Sequence, residues 1–341
     1  MTQIYFDRAY SLSVGQNGAA GGKLITSHDT PPELRVVFEV VKTTSDNPNQ
    51  SKISVYNLNP TTRAMLEKPD IVVNMAAGYK KNGGAQLMYS GNVIFGYSRR
   101  EGPEIVTELQ LADGHTALRD TMLTMAIRSG GKAKDAVKQI ARAFDMPLHM
   151  ASDTVDRAWQ HGYSYSGLAK TALRQICLAT GLEWSVQNGV LQVINAGGNT
   201  GRLAISISPD TGLIRSPERL REGSQVAAAV VDQDTPSSAK DVKYLTGMRL
   251  RFNGWRITTV LLPMVNPGDL LALTSEAISG TFRVDNIRHQ GDSHGNEWVS
   301  HIELLSPDDW NVRQAAATLK ASKQAVANAR AQARALKNVG G

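Results

Sequence analysis

Residues 51–66, Ser-Lys-Ile-Ser-Val-Tyr-Asn-Leu-Asn-Pro-Thr-Thr-Arg-Ala-Met-Leu, place a strand pattern directly before a helical turn. Ile53 and Val55 alternate with polar neighbours, which is typical of a strand with one covered face. Pro60 then opens a short helical turn, Thr62 to Glu67. The stretch therefore predicts a β-rich unit that carries a small helical insertion.

Further strands are predicted on both sides of this stretch. They are Ile4 to Val14, Leu34 to Val41, Ile71 to Tyr79, Leu87 to Tyr97 and Ile105 to Asp113. Turn chemistry such as Asn82-Gly83 separates them, and many short strands at this spacing indicate a small barrel or sandwich. We therefore place an N-terminal β-barrel domain at residues 1–125.

The middle of the chain has helical periodicity. Lys132 to Phe144 and Ser166 to Thr180 each predict an amphipathic helix, with Ser166 as the N-cap of the second and Gly181 just beyond its end. The buried stripe of the second helix is predicted as Leu168, Ala172, Leu173, Ile176 and Ala179 or Thr180. A hairpin across the Asn188-Gly189 turn follows. Residues 126–202 are therefore predicted to form an α+β domain.

Strand patterns return after residue 203. Gly247 to Leu262 predicts two strands around an Asn253-Gly254 turn. Three more are predicted at Asp269 to Thr274, Gly280 to His289 and Trp298 to Leu305, after a polar loop at 231–241. The predicted fold class is α+β and β-rich, with two small β-barrel domains (1–125 and 203–306) that flank or enclose an α+β middle domain. Residues 307–341 are predicted to form a C-terminal helix.

The composition is that of a globular chain, with 41% apolar and 20% charged residues among 341. No stretch approaches the roughly 20 apolar residues that a membrane span needs. We expect no signal peptide, because the first residues lack a basic segment followed by an apolar one. The single cysteine, Cys177, excludes an intrachain disulfide framework and fits synthesis in a reducing cytosol.

The net charge of +6 belongs to the C-terminal segment, because residues 311–341 hold six basic residues and no acidic one. Val312, Leu319, Val326 and Ala333 recur every seven residues, which predicts a coiled-coil seam. Such a basic helix could contact nucleic acid, a membrane surface or a protein. Protein docking is favoured and nucleic acid is the alternative, because the apolar face is mostly alanine and no aromatic residue is present. The predicted partner-binding residues are Arg313, Leu319, Lys320, Lys323, Val326, Arg330, Arg334 and Leu336.

Motifs for catalysis, cofactors or metals are largely missing from the sequence. Phosphate-binding loops, the nucleophile elbow and the His-Glu-x-x-His zinc motif are absent. Cys177 lies in an apolar helix, which favours a core residue over a nucleophile. We therefore predict no catalytic, cofactor or metal site.

Three clusters offer alternatives to that prediction. A metal site could be formed by His289, Asp292, His294, Glu297 and His301, although a polar hairpin loop is favoured because glycines punctuate the segment. Asp308-Asp309 could serve a glycosidase, but acidic residues also favour the start of a helix. An aromatic binding face could be formed by Trp159, Gln160, His161, Tyr163 and Tyr165, with packing on the middle domain as the favoured interpretation.

The order of these segments resembles the baseplate hub proteins of contractile-tailed phages. The resemblance is carried by residues 51–66 with Gly78-Tyr79 and Gly91-Asn-Val-Ile94, by 166–184 with Val190-Leu-Gln-Val193, and by 262–271 with Gly280 to His289 and 298–304. Together these strings span most of residues 34–305.

The resemblance implies a non-enzymatic virion protein of the tail baseplate, made in the host cytoplasm. Its homotrimer would present six similar barrels and adapt the tail tube protein to the central spike protein. Other baseplate proteins are implied partners, a membrane is not, and DNA would be met only during passage through the lumen. The alternatives are a tail-associated cell-wall hydrolase and the hub of a phage-tail-like injection particle.

Overall fold

The computed structural model describes residues 7–16, 23–26, 33–68, 71–160, 162–222 and 252–306. The strands of the N-terminal part are β1 (Arg8–Gln16), β2 (Lys23–Thr26), β3 (Val36–Thr43), β4 (Gln50–Tyr56), β5 (Ile71–Tyr79), β6 (Gly84–Glu101) and β7 (Glu104–Ala112). Those of the middle part are β8 (Met122–Ile127), β9 (Gly131–Lys132), β10 (Leu148–Met150), β11 (Ala158–Trp159), β12 (Tyr163–Leu168), β13 (Leu182–Gln187) and β14 (Val190–Asn195). The last strands are β15 (Ile205–Ile207), β16 (Glu218–Glu222), β17 (Phe252–Val260), β18 (Leu270–Thr274), β19 (Ser279–Asp292) and β20 (Trp298–Leu305).

Short helices accompany the strands. They are α1 (Pro60–Leu66), α2 (His115–Asp120), α3 (Ala133–Ala143), α4 (Ala169–Thr180) and a 3-10 turn at Pro209–Thr211. The predicted β-rich α+β class is confirmed. Among the described residues, no helix has the length and apolarity required to cross a bilayer.

One large sheet contains strands from both ends of the chain. Its order is β16-β17-β20-β19-β3-β4-β7-β6-β5-β1-β2, and β18 and β15 continue from β19. We call β1–β7 the first β unit and β15–β20 the second β unit. The middle unit, β8–β14 with α3 and α4, has its own small sheets.

The second β unit closes into a ring of strands around a core. Residues 205–222 provide the closure: β15 pairs with β18 at their start, and Leu213 and β16 pair with β17 further on. In the first β unit, the described part of β1 has no strand pairing to β3. Instead, the hydroxyl of Tyr10 on β1 donates to the carbonyl of Leu34, two residues before β3, at 2.5 Å.

Three hydrophobic cores hold these units together, one in each. Leu261 and Trp298 of the second β unit also belong to the first core. The domain limits at 125, 202 and 306 remain predictions, but this sharing shows that the two β units are packed as neighbours.

The two β units repeat the same strand arrangement. The order β3-β4-β7-β6-β5 corresponds to β16-β17-β20-β19-β18, and every one of these pairings is antiparallel. Seven residue pairs join β4 to β7, and seven join β17 to β20. Val93 pairs with Leu111 at the place where Val284 pairs with Leu304. Leu111 and Leu304 are both fully buried, so the core positions correspond as well.

The predicted start of the second helix is wrong. Ser166 lies in β12 opposite Thr124, and its hydroxyl lies 3.0 Å from the Thr124 hydroxyl, so α4 begins three residues later. Leu168, predicted in the buried stripe, is instead an exposed residue that pairs with Met122. Cross-strand pairing has overridden the capping preference of serine.

The predicted Asn253-Gly254 turn is also wrong, because β17 runs straight through it. Gly254 lies between Leu220 and Leu305 of the neighbouring strands. A Cβ there would approach the Leu304 carbonyl oxygen to 2.8 Å, so the glycine serves close packing of backbones. The predicted loop 231–241, residues 247–251 and the C-terminal helix lie outside the described residues.

Candidate assembly site

The two β units are joined through β3 and β19, a pairing that we call the seam. Seven antiparallel residue pairs form it, from Thr43 opposite Asn286 to Val37 opposite Asp292. A continuous ladder of backbone hydrogen bonds fixes the relative position of both units, because a slip by one residue would turn every side chain to the other face.

Lys42 lies on the inner side of the seam and is fully buried. Its Nζ donates to Asn266 Oδ1 of the second β unit at 2.9 Å. Burial lowers the pKa of this ammonium to about 8, while the nearby carboxylates of Asp113 and Asp269 oppose the shift. Because Lys42 belongs to β3 and its acceptor belongs to the second β unit, this hydrogen bond links the two units.

Asp113 is the fully buried carboxyl of the first β unit near the seam. Burial raises its pKa to about 7, although Asn49 Nδ2 donates to its Oδ2 at 3.2 Å and Lys42 attracts its charge. Tyr89 lies beside it, and burial raises the pKa of that phenol well above its usual value. These groups form a polar cluster inside an otherwise apolar core.

The hairpin β13–β14 of the middle unit contacts both β units. Gln187 Nε2 donates to the Thr43 carbonyl at 2.7 Å, at the end of β3. Gln192 Nε2 donates to the Pro267 carbonyl of the second β unit at 2.8 Å. The middle unit therefore lies as a wedge against the seam, and hydrogen bonds to the backbone hold it on both sides.

An ion pair strengthens the contact between the wedge and the second β unit. The guanidinium of Arg283 is fully buried and donates to the carboxylate of Glu183 on β13. Arg283 Nη1 also lies 3.9 Å from Asp285 Oδ1. Removal of Glu183 would leave the buried guanidinium with only the more distant Asp285 carboxylate.

The turn between β19 and β20 is fastened to the first β unit. Arg8 donates to the backbone carbonyls of Asp292, Gly295 and Asn296, and it lies over the Trp298 ring at 5.3 Å. A bidentate contact from Arg35 to Asp292, at 2.6 and 3.1 Å, lowers the pKa of that carboxyl. This turn is therefore a structural clamp.

Two residues of the cluster that could have formed a metal site, Asp292 and His289, have partners within the protein. Asp292 is engaged by Arg35, and His289 is fully buried within β19 with its Nδ1 2.8 Å from Ser300 Oγ. Burial and the nearby Lys42 hold the pKa of His289 well below its usual value. Within the described residues, no three His, Cys, Asp or Glu side chains form a group that could hold a metal ion.

Four other residues that the sequence offered as candidates for a site pack in or on the middle core. Cys177 is buried in the middle core, and burial raises the pKa of its thiol. The rings of Trp159 and Tyr163 stack with centroids 5.2 Å apart, Tyr163 and Tyr165 follow at 6.3 Å, and all three pack on that core. His161, Asp308 and Asp309 lie outside the described residues, as do all eight predicted partner-binding residues of 313–336.

Lys42 is not among the predicted site residues, although the strand pattern contains a signal for it. Val36, Phe38, Val40 and Lys42 alternate with outward side chains, so the pattern alone places Lys42 on the core face. A lysine in that register is a buried charge, and buried charges need partners. The identity of its hydrogen-bond acceptor, Asn266, depends on a contact 224 residues away along the chain.

No family model and no curated protein matches the sequence. Solved structures do match its fold. The 43 kDa tail protein of prophage MuSo2 from Shewanella oneidensis has a TM-score of 0.59 at 11% identity, over 88% of this chain and 99% of that one. A tail protein from Neisseria meningitidis has a TM-score of 0.54 at 12% identity, over 88% and 98%.

A third similar structure is an Escherichia coli component of the type VI secretion system, described as similar to the T4 bacteriophage tail proteins gp27 and gp5. Its TM-score is 0.52 at 10% identity, over 83% of this chain and 76% of that one. At such identities the likeness concerns the fold alone. The chain thus shares its fold with tail proteins of phages and with a secretion-system component.

Proposed function

We propose that the chain is the baseplate hub subunit of a contractile phage tail. Three copies form a ring that adapts the tail tube to the central spike, and the role is structural rather than enzymatic. The proposed site of action is the virion baseplate.

The seam between two equivalent β units carries this proposal. One chain supplies two units of the same strand order, fixed side by side by β3 and β19. Three such chains around a threefold axis would present six similar units, which suits a partner with sixfold symmetry. The middle unit, which is hydrogen-bonded to both β units, suits such a ring because it fixes the angle between them. A ring closes only if the angle between neighbouring β units is constant.

The comparisons support the proposal at the level of the fold, since two of the matched structures are named as tail proteins. The tail tube protein, the spike protein and other baseplate proteins are its proposed partners, with DNA inside the ring only during passage. The similar secretion-system component favours a second candidate, the hub of a phage-tail-like injection particle. Both candidates use the same ring.

Mass in solution tests the proposal. We expect light scattering after size exclusion to give three times the chain mass of 36.9 kDa, and negative-stain images to show a ring with six similar lobes. For a trimer with a dissociation constant of about 1 µM, a concentration of about 100 µM should give the assembled ring. A chain that stays monomeric there would contradict the proposal if it also lyses cell-wall material in a zymogram. That result would favour a hydrolase.

A further inference from the structure

The strand repeat assigns a counterpart to β3, the strand of the first β unit that crosses the seam. Glu39 of β3 pairs with Lys52, and Glu218 of β16 pairs with Arg256 at the corresponding place. Nearer the start of each segment, Leu213 forms an isolated bridge to Thr259, and Val36 of β3 pairs with Val55. Thr259 and Val55 occupy corresponding positions of β17 and β4. Residues 213–222 are therefore the second unit's equivalent of β3.

The repeat also assigns a counterpart to the edge on which β3 docks. Along one edge of β19, the first half pairs with β18 and the second half with β3. Along the corresponding edge of β6, residues 84–92 (the first half) pair with β5. The second half of that edge, residues 95–101, pairs with no strand in the described part of the chain. Helix α1 meets β6 from the core side at Gly96, where Leu66 and Leu109 lie, and so does not take the place of a strand.

We propose that residues 216–222 of one copy pair antiparallel with residues 95–101 of β6 in the next copy. The interface between chains then repeats the seam within each chain. This inference rests on the proposed ring, because a closed ring of equivalent units needs the same contact within and between chains. The occupant of this β6 edge, which is unpaired within the described ranges, is thus a second copy of this chain.

The register of the seam gives the register of the new pairing. Val41 lies opposite Arg288 in the seam, and the corresponding residues are Leu220 and Tyr97. Glu39 lies opposite Gln290, and the corresponding residues are Glu218 and Arg99. Pairing in this register places side chains of opposite charge across from each other, which favours a cross-strand contact.

The exposed residues at both edges fit such an interface. Phe95 on β6 is 55% exposed and Ile214 is 50% exposed; Phe95 lies at one end of the proposed ladder and Ile214 lies just beyond its other end. Arg99 has half of its side chain in solvent, where it now pairs with Glu101. An unpaired strand edge with exposed apolar neighbours is a template for another strand, and pairing with a second copy would cover it.

Disulfide trapping tests the register directly, in a Cys177→Ala background. The test variant carries Tyr97→Cys and Leu220→Cys, and the matched control carries Val41→Cys and Arg288→Cys, the corresponding pair within one chain. After oxidation we expect covalent dimers and trimers of the test variant on a non-reducing denaturing gel. The control should close within the monomer. A trimeric protein whose control closes but whose test pair forms no interchain disulfide would overturn the proposed pairing.

Charge reversal gives an independent test. We expect Arg99→Glu to raise the trimer dissociation constant about fivefold or more, because it places two acidic side chains opposite each other, and Glu218→Arg in the same chain to restore it. Equal weakening by the single and double variants would count against the register. A wild-type chain that never forms trimers would instead remove the proposed function, and with it the reason for this interface.

Discussion

Ile94 and Asp285 are the extra residues of two β-bulges that occupy the same place in the two β units. Ile94 lies between Val93 and Phe95 on β6, and Asp285 lies between Val284 and Asn286 on β19. Bulges bend a strand and increase its twist. Both long strands are therefore bent at the point where they leave their own unit's β5 or β18, and beyond the bend β19 meets a strand of the other unit.

Four residues after each bulge, a polar pair again corresponds. The Ser98 and Thr107 hydroxyls lie 3.1 Å apart in the first β unit, and His289 Nδ1 lies 2.8 Å from Ser300 Oγ in the second. The same geometry with different chemistry indicates that backbone arrangement, rather than a particular side chain, is what the two units share.

The ion pair between the wedge and the second β unit should contribute strongly to stability. We expect Glu183→Ala to lower the free energy of unfolding by about 3 kcal/mol, because it leaves the buried Arg283 guanidinium without its carboxylate. Urea unfolding followed by circular dichroism measures this. Glu276→Ala, at an exposed position, is the control and should change stability by less than about 0.5 kcal/mol. Equal effects of both substitutions would show that the pair is not compensating a buried charge.

The buried carboxyl of Asp113 predicts a defined pH dependence. Its pKa in the folded chain is raised to about 7, so the folded state holds a proton that the unfolded state releases near pH 4. Asp113 therefore costs stability increasingly as pH rises from about 4 to about 7. We expect Asp113→Asn to become progressively more stable relative to the original chain over that range, in urea unfolding at pH 4.5, 6 and 7.5. A difference that stays constant with pH would mean that the carboxyl titrates normally.

Close packing at the seam should make one glycine sensitive to a single methyl group. A Cβ on Gly291 would overlap the Phe38 ring across the seam and would lie 2.8 Å from Trp298. We expect Gly291→Ala to cost about 3 kcal/mol, because the two rings are already in edge contact at 5.2 Å. Gly84→Ala is the matched control, since open space surrounds it and only its positive φ of 73° opposes the change, at about 1 kcal/mol. Thermal unfolding measures both losses of stability. A larger loss for Gly84→Ala than for Gly291→Ala would show that backbone strain, not packing, dominates.

The sequence predicts local structure well where periodicity and burial agree. The strand around Ile53 and helix α3 follow from alternation and from an apolar stripe, and both are present. Gly254 shows the limit, because Asn-Gly favours a turn locally while two neighbouring strands require a residue without a side chain. The seam could not be predicted from one sequence, since its strands lie more than 240 residues apart and a strand pattern does not specify its partner. The hydrogen-bond acceptor of Lys42 depends on that seam, and the partner of Arg283 depends on the docking of the middle unit, so neither follows from local pattern.

The basic C-terminal segment should act in assembly rather than in folding. We expect a chain ending at residue 310 to keep the far-ultraviolet circular dichroism and the trimer mass of the full chain, because described residues between 10 and 304 already supply a hydrophobic core to each of the three units. Tails assembled with the shortened chain should be defective, since the removed segment holds six basic residues, no acidic residue and a seven-residue apolar repeat.

A matched variant separates charge from the apolar repeat. Replacing the six basic residues of 311–341 by glutamine keeps helix propensity and the repeat but removes the charge. If the segment docks through its apolar seam, the glutamine variant should assemble infectious tails, whereas Leu319→Asp with Val326→Asp should not. If nucleic acid or an acidic partner is bound instead, the glutamine variant should fail and added salt should weaken assembly of the original chain. Infectious tails from the chain ending at residue 310 would contradict both, and the segment would then have no part in assembly.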